Sequence, residues 1–164
     1  MALLPILVLT SAAMILPSAA TQANETPALE PDMHEGKQAM TASGRFDVAL
    51  EPASDPDMPV ARMTLDKTFE GDLTGTSRGQ MLAVRTDVEG SAGYVAIERF
   101  EGSLGGRKGS FALQHSGMMD RGQPSLAIQV IPDSGTGDLA GIAGTMTIDQ
   151  SGSDHRYVFD YTLP

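Results

Sequence analysis

The sequence predicts an all-β domain, an eight-stranded antiparallel closed β-barrel. Apolar and polar residues alternate in short stretches from Ser43 onward, which is the period of half-buried strands. The phrase Gly-x-Leu-x-Gly occurs three times, beginning at Gly71, Gly102 and Gly137, and we interpret each copy as the corner of a β-hairpin. An open sheet of eight strands would expose two edges, and closure removes them. A two-sheet sandwich is the alternative.

Turn-forming residues separate eight stretches that fit the strand pattern. They cover residues 43–51, 61–69, 76–86, 94–101, 108–116, 125–132, 144–150 and 155–163. The third is less clearly patterned than the others. The expected inward residues are Phe46, Val48 and Leu50 in the first strand, Leu65 and Phe69 in the second, Phe111 and Leu113 in the fifth, Leu126, Ile128 and Val130 in the sixth, Met146 and Ile148 in the seventh, and Tyr157, Phe159, Tyr161 and Leu163 in the last.

The fourth strand leaves its inward face undecided. Tyr94, Ala96 and Phe100 share one face with Glu98, whereas the opposite face carries two β-branched residues, Val95 and Ile97. Both sets therefore compete for the interior.

The amino-terminal part of the chain has the composition of an export signal. Residues 1–23 carry no charged side chain, and residues 2–16 are an apolar run of signal-peptide length. We predict a signal peptide at 1–23, cleaved after Ala20 or Ala23, then a flexible acidic leader at 24–42 and the barrel domain at 43–164. This organisation predicts a periplasmic or secreted protein with no stable membrane insertion after cleavage.

The charge balance excludes some classes of partner. The chain has 11 Lys and Arg against 21 Asp and Glu, for a net charge of -10. Nucleic acid needs a basic face, so we expect no nucleic-acid partner. There is no cysteine, so no disulfide forms. The three histidines are scattered without a His-x-His pair, and we predict no metal site and no cofactor.

Polar residues on inward positions mark the candidate site, because function often breaks a folding pattern. Lys67 lies between inward Leu65 and Phe69, and Glu98 and His115 share faces with inward aromatic residues. The hydroxyls of Tyr157 and Tyr161 point to the same interior in this interpretation. We therefore expect Lys67, Glu98, His115, Tyr157 and Tyr161 to line one end of the barrel. A structural ion pair between Lys67 and Glu98 is the competing interpretation.

One short motif carries a different suggestion. Residues 75–79 read Gly-Thr-Ser-Arg-Gly and match the Gly-x-Ser-x-Gly pattern of a nucleophile elbow. An elbow needs a strand, a sharp turn and a helix in an α/β sheet. Neither the helix nor that kind of sheet is predicted, so we do not assign a nucleophile to Ser77.

Longer phrases resemble a known family. Residues 62–77, 90–98, 109–111, 114–117, 134–139 and 157–161 are similar to domain-of-unknown-function family 3224. The resemblance implies the allene oxide cyclase-like barrel. In that superfamily, plant cyclases rearrange an epoxide in an apolar cavity without a cofactor, and dirigent proteins guide phenoxy-radical coupling. It also implies oligomers, often trimers. A shared fold does not carry an activity with it.

These observations predict a protein that binds a small apolar ligand inside the barrel. Two alternatives stay open. A cofactor-free isomerase or cyclase would use Glu98 or His115 as acid or base and a tyrosine hydroxyl to steady negative charge. A structural or homo-oligomeric module would have a barrel that is packed solid.

Overall fold

A computed structural model describes residues 38–53, 57–152 and 154–164. These residues form nine strands, and every pairing between them is antiparallel. The predicted signal peptide and most of the predicted leader lie outside the described residues. The strands are β1 (Ala39–Pro52), β2 (Ala61–Gly71), β3 (Leu73–Arg85), β4 (Ala92–Leu104), β5 (Arg107–Asp120), β6 (Gln123–Val130), β7 (Thr136–Gly137), β8 (Ala143–Asp149) and β9 (His155–Thr162).

The eight long strands close into a barrel. Their order around the ring is β4, β3, β2, β1, β9, β8, β6, β5, and pairing of β4 with β5 closes it. The predicted eight-stranded closed antiparallel barrel is thereby confirmed over the sandwich. Two-residue β7 pairs with the start of β5. The seam between β6 and β8 is the shortest, because only Gln129 and Thr145 pair across it.

β1 begins earlier than the sequence pattern suggests. It starts at Ala39, not Ser43, because residues 39–42 pair with the carboxyl-terminal half of β9, from Thr162 to Phe159. Residues 39–42 therefore belong to the barrel and not to the leader. Ala42 is buried in the core.

A chain of aromatic rings runs through the interior of the barrel. Phe46, Phe69, Phe100, Phe111 and Phe159 are each buried, and they form a continuous chain in which neighbouring ring centroids lie 5.1–5.7 Å apart. They occupy inward positions on five different strands, so the chain of rings ties the barrel together across its width. Each buried ring contributes roughly 1.5–3 kcal/mol of burial energy.

The three Gly-x-Leu-x-Gly phrases gather at one end of the barrel, which we call the Leu73 end. Their leucines, Leu73, Leu104 and Leu139, have no exposed surface. The first two phrases form the β2–β3 and β4–β5 hairpins, as predicted, and the Gly105 N–H donates to the Asp72 carbonyl at 2.9 Å. The third was predicted as a hairpin too, but it lies in the connection from β7 to β8 and docks on the start of β5.

The inward face of β4 is the polar one. Ala96, Glu98 and Phe100 are buried, and Val95 and Ile97 are 52% and 56% exposed. The Phe100 ring packs against Phe69 and Phe111 in the interior, which fixes the orientation of β4. Because side chains alternate along a strand, Glu98 then also points inward. Leu50 and Leu126, which we expected inside, are exposed near the opposite rim of the barrel. Within the described residues, no helix has the length and apolar character needed to cross a membrane.

Candidate functional site

Three of the five predicted site residues meet inside the barrel. The Lys67 ammonium donates to Oε1 of Glu98 at 2.7 Å, and Nε2 of His115 lies 2.7 Å from the same oxygen. Ser77, which we had not assigned to the site, donates its hydroxyl to Oε2 of Glu98 at 2.5 Å. We call these four residues the Glu98 cluster. All four side chains are buried, and Glu98 is 1% exposed.

The register of four neighbouring strands brings the cluster together. Lys67 on β2 faces Ser77 on β3, Gly79 on β3 faces Glu98 on β4, and Ala96 on β4 faces His115 on β5. A side chain at position 79 would not fit, since its Cβ would lie 2.7 Å from the Cα of Glu98. Ser77 lies in the middle of β3, away from any turn, so its Gly-x-Ser-x-Gly sequence serves close strand packing.

The cluster keeps Glu98 ionised. Burial by itself would raise the pKa of Glu98, but the hydrogen bond to His115, the charge and hydrogen bond of Lys67 and the hydroxyl of Ser77 outweigh it. The pKa falls from 4.5 to about 2. Because the carboxylate can only accept hydrogen bonds, Nε2 of His115 must carry the proton in their contact.

Both carboxylate oxygens are already occupied. Oε1 accepts from Lys67 and His115, and Oε2 accepts from Ser77. The Lys67 ammonium also lies 4.8 Å from the ring centre of Phe46. Because Glu98 is ionised at neutral pH, it has no proton to donate and cannot act as an acid there. In the described ranges, no three His, Cys, Asp or Glu side chains gather to hold a metal ion.

The two predicted tyrosines do not join the cluster. The Tyr157 hydroxyl accepts a hydrogen bond of 2.8 Å from the Leu73 N–H, and burial raises the pKa of Tyr157. A Cβ at position 105 would lie 3.6 Å from the Tyr161 hydroxyl, so Tyr161 also reaches the Leu73 end. Both side chains point inward as expected, but their hydroxyls lie at the Leu73 end of the barrel and not in the Glu98 cluster.

A different tyrosine, Tyr94, is affected by the charge of the Glu98 cluster. Burial raises the pKa of Tyr94, and the negative charge of Glu98 raises it further. Its ring packs directly over Gly117, where any Cβ would collide with the ring. Tyr94 lies on the same face of β4 as Glu98. The sequence places Tyr94 on the same face of the fourth strand as Glu98. Because the inward face of that strand was undecided, Tyr94 was not assigned to the site.

The concave apolar surface lies outside the barrel. One hollow of about 430 Å³ surrounds Gly93, between Val84 and Met118, and a second of about 680 Å³ lies between Gln80 and Ile97. Because Leu82 and Val95 line both hollows, we describe the two hollows together as the outer groove. Sequence reasoning missed it because the outward face of the fourth strand was undecided.

Except for Arg62, which lines the larger hollow, the outward side chains of the groove belong to a wider surface that bears no charge, which we call the uncharged face. Its outward positions match across β3 to β6. On β2, Arg62 borders this face beside Leu82. Toward the Leu73 end the face is bordered by Arg78, which pairs with Asp66, and by Arg99, which donates to Ser110. The residues of the uncharged face are Val84, Gly93, Met118 and Ser125, then Leu82, Val95, Ser116 and Ala127, then Gln80, Ile97, Gln114 and Gln129.

Comparison with known proteins identifies the family. The model of a protein family of unknown function, DUF3224, matches residues 42–161. A crystal structure of a DUF3224-family protein of unknown function from Shewanella oneidensis MR-1 is 45% identical, with a TM-score of 0.73. The match covers 77% of this chain and 99% of that one. A search of curated proteins found no match. The chain therefore belongs to the DUF3224 family.

Proposed function

We propose that this protein binds a small apolar molecule in its outer groove. The observation that supports this proposal is the groove itself, whose hollows of about 430 and 680 Å³ fall in the size range of ligand sites. The interior supports a ligand less well, because the buried aromatic rings and the bonded Glu98 cluster both occupy it.

The lining of the groove favours a neutral ligand. Leu82, Val95 and Ile97 supply the apolar contacts, and Gln80 and Gln114 can each give or accept a hydrogen bond. Arg62, which lines the larger hollow, is the one charged side chain that the described lining offers to an anionic ligand, and the net charge of -10 repels anions at long range. We infer an apolar body with at most one or two polar groups.

Two finer expectations belong to the same proposal. The uncharged residues 1–23, with their apolar run at residues 2–16, support export to the periplasm or the exterior. The phrases named above support an allene oxide cyclase-like ancestry for the barrel. A cofactor-free isomerase is less well supported, because Glu98 is held by hydrogen bonds from Lys67, Ser77 and His115 and its pKa is about 2.

A fluorescent probe tests the proposal. N-phenyl-1-naphthylamine is neutral and apolar, and its emission rises in an apolar site. We expect it to bind the full chain, and we expect Val95→Gln to weaken binding by about tenfold or more, as when apolar contact is lost. The matched control is Val158→Gln, since Val158 faces outward on β9 at 44% exposure, outside the groove. Absence of binding, or equal effects of the two substitutions, would refute the groove.

A second variant separates the groove from the interior. His115→Gln keeps an N–H that can donate to Glu98 while it changes the ring that faces the interior. A groove ligand predicts unchanged probe affinity in this variant, provided that it unfolds at the same temperature. A selective loss of affinity would instead favour a ligand inside the barrel.

A further inference from the structure

The outer groove is a half-site. It lies on the outer wall of a barrel, so one chain covers a ligand from one side only, whereas binding sites bury most of a small ligand's surface. We propose that a second copy of this chain closes the groove, so that the ligand is held between two copies. This inference rests on the function proposed above, because the two copies share the site that it assigns.

The uncharged face permits a second acidic copy as the partner. Two chains that each carry -10 repel one another almost everywhere. The uncharged face contains no acidic side chain, so it is where two copies can approach with the least repulsion. A basic partner would gain nothing there, because the face offers no carboxylate with which to pair.

The polar part of the face is self-complementary. Gln80, Gln114 and Gln129 occupy three of the four positions of one row, with Ile97 at the fourth, and all three glutamines are exposed. A carboxamide both donates and accepts, so such a row can bond to an identical row. A two-fold dimer requires this property, because the same patch must serve both partners.

The apolar part of the face offers a projection beside a hollow. Met118 is 67% exposed and lies directly opposite Gly93 across β4 and β5. A Cβ at Gly93 would meet nothing closer than 3.9 Å, so the hollow around it is open. Two-fold symmetry lets Met118 of each copy enter the hollow of the other, which leaves the larger hollow for the ligand.

The size of the face predicts a weak dimer. Four strands about 4.8 Å apart and three rows about 6.8 Å apart give a footprint of roughly 400 Å². Interfaces of this scale lie at the transient end of the range. A ligand that binds only between two copies should therefore drive dimerisation by mass action.

Sedimentation velocity of the full chain over the micromolar range, with and without N-phenyl-1-naphthylamine, tests the inference. We expect a concentration-dependent dimer that the probe strengthens. Gln129→Glu adds an acid to the face without changing shape, and Gln129 lines neither hollow. Gln129→Glu should keep the chain monomeric and weaken its binding of the probe. The control is Gln150→Glu, at an exposed site beyond β8, which adds the same charge and should change neither. Ala127→Glu repeats the test if Gln129→Glu unfolds.

The outcomes separate the two proposals. A chain that stays monomeric while it binds the probe would overturn the second copy and leave the groove as the ligand site. A dimer that both Gln129→Glu and Ala127→Glu leave intact would also overturn it, since that dimer would use another surface. If the chain binds no probe but forms a dimer that Gln129→Glu disrupts, the proposed ligand site would be refuted and the proposed interface supported.

Discussion

The replacement of Glu98 by glutamine tests how much the buried cluster stabilises the fold. Glu98→Gln removes the charge and keeps the shape, and it leaves the buried ammonium of Lys67 without its counter-ion. Removing one partner of a buried ion pair costs about 3–5 kcal/mol. The lowered pKa gives a similar figure. A fall from 4.5 to about 2 corresponds to about 3 kcal/mol.

Urea unfolding at pH 7 measures the effect. The matched control is Glu70→Gln, because Glu70 and Arg45 also form a short ion pair, at 2.6 Å, but both side chains are more than half exposed. We expect a loss of about 3 kcal/mol for Glu98→Gln and less than about 1 kcal/mol for Glu70→Gln. A second substitution, Lys67→Met, should restore part of the loss, since it removes the stranded charge.

The pH dependence of stability gives an independent check. Because folding lowers the pKa of Glu98, its contribution is fully present above pH 4.5 and is lost as the pH falls toward 2. The difference in unfolding free energy between the native chain and Glu98→Gln should therefore shrink over that window. Equal costs for Glu98→Gln and Glu70→Gln, or a difference that is constant with pH, would refute the reasoning.

Three further predictions concern the core and the uncharged face. Phe111→Ala should lower the free energy of unfolding by about 3–5 kcal/mol in urea, because it leaves a cavity in the chain of rings, whereas Val158→Ala should change it by less than about 0.5 kcal/mol. Tyr157→Phe should cost about 1–3 kcal/mol, because it leaves the buried Leu73 N–H without an acceptor, and hydrogen exchange of that amide should quicken. The proposed dimer should strengthen with added salt in sedimentation, because screening reduces repulsion between the two acidic chains; weakening by salt would contradict an apolar interface.

The barrel could be predicted from the sequence because its signals are local. Alternation in the first and last strands placed Phe46 and Phe159 correctly, and the leucines of the repeated phrase were expected to lie under corners. The third corner was misassigned, because the two-residue β7 that precedes it is too short to show a pattern. Its pairing with β5 depends on contacts across the fold.

The site was predictable in part for a similar reason. Inward parity identified Lys67, Glu98 and His115, and the register of neighbouring strands then brought them together. Position along the barrel was not predictable, because parity fixes the face of a side chain but not its depth. Tyr157 therefore shares the interior with Glu98 but lies at the Leu73 end.

The single pair between Gln129 and Thr145 has a dynamic consequence. A ring of strands opens where the fewest backbone hydrogen bonds must break, so the β6–β8 seam is the easiest place for the barrel to part. Amide protons on both sides of this seam should exchange faster than those of β4 and β5, which pair along their length. Gln129 also belongs to the uncharged face, so a partner that covers the face would lie against β6, on one side of this seam. In the proposed dimer, the interface would therefore include β6, one of the two strands that separate when the barrel opens at this seam.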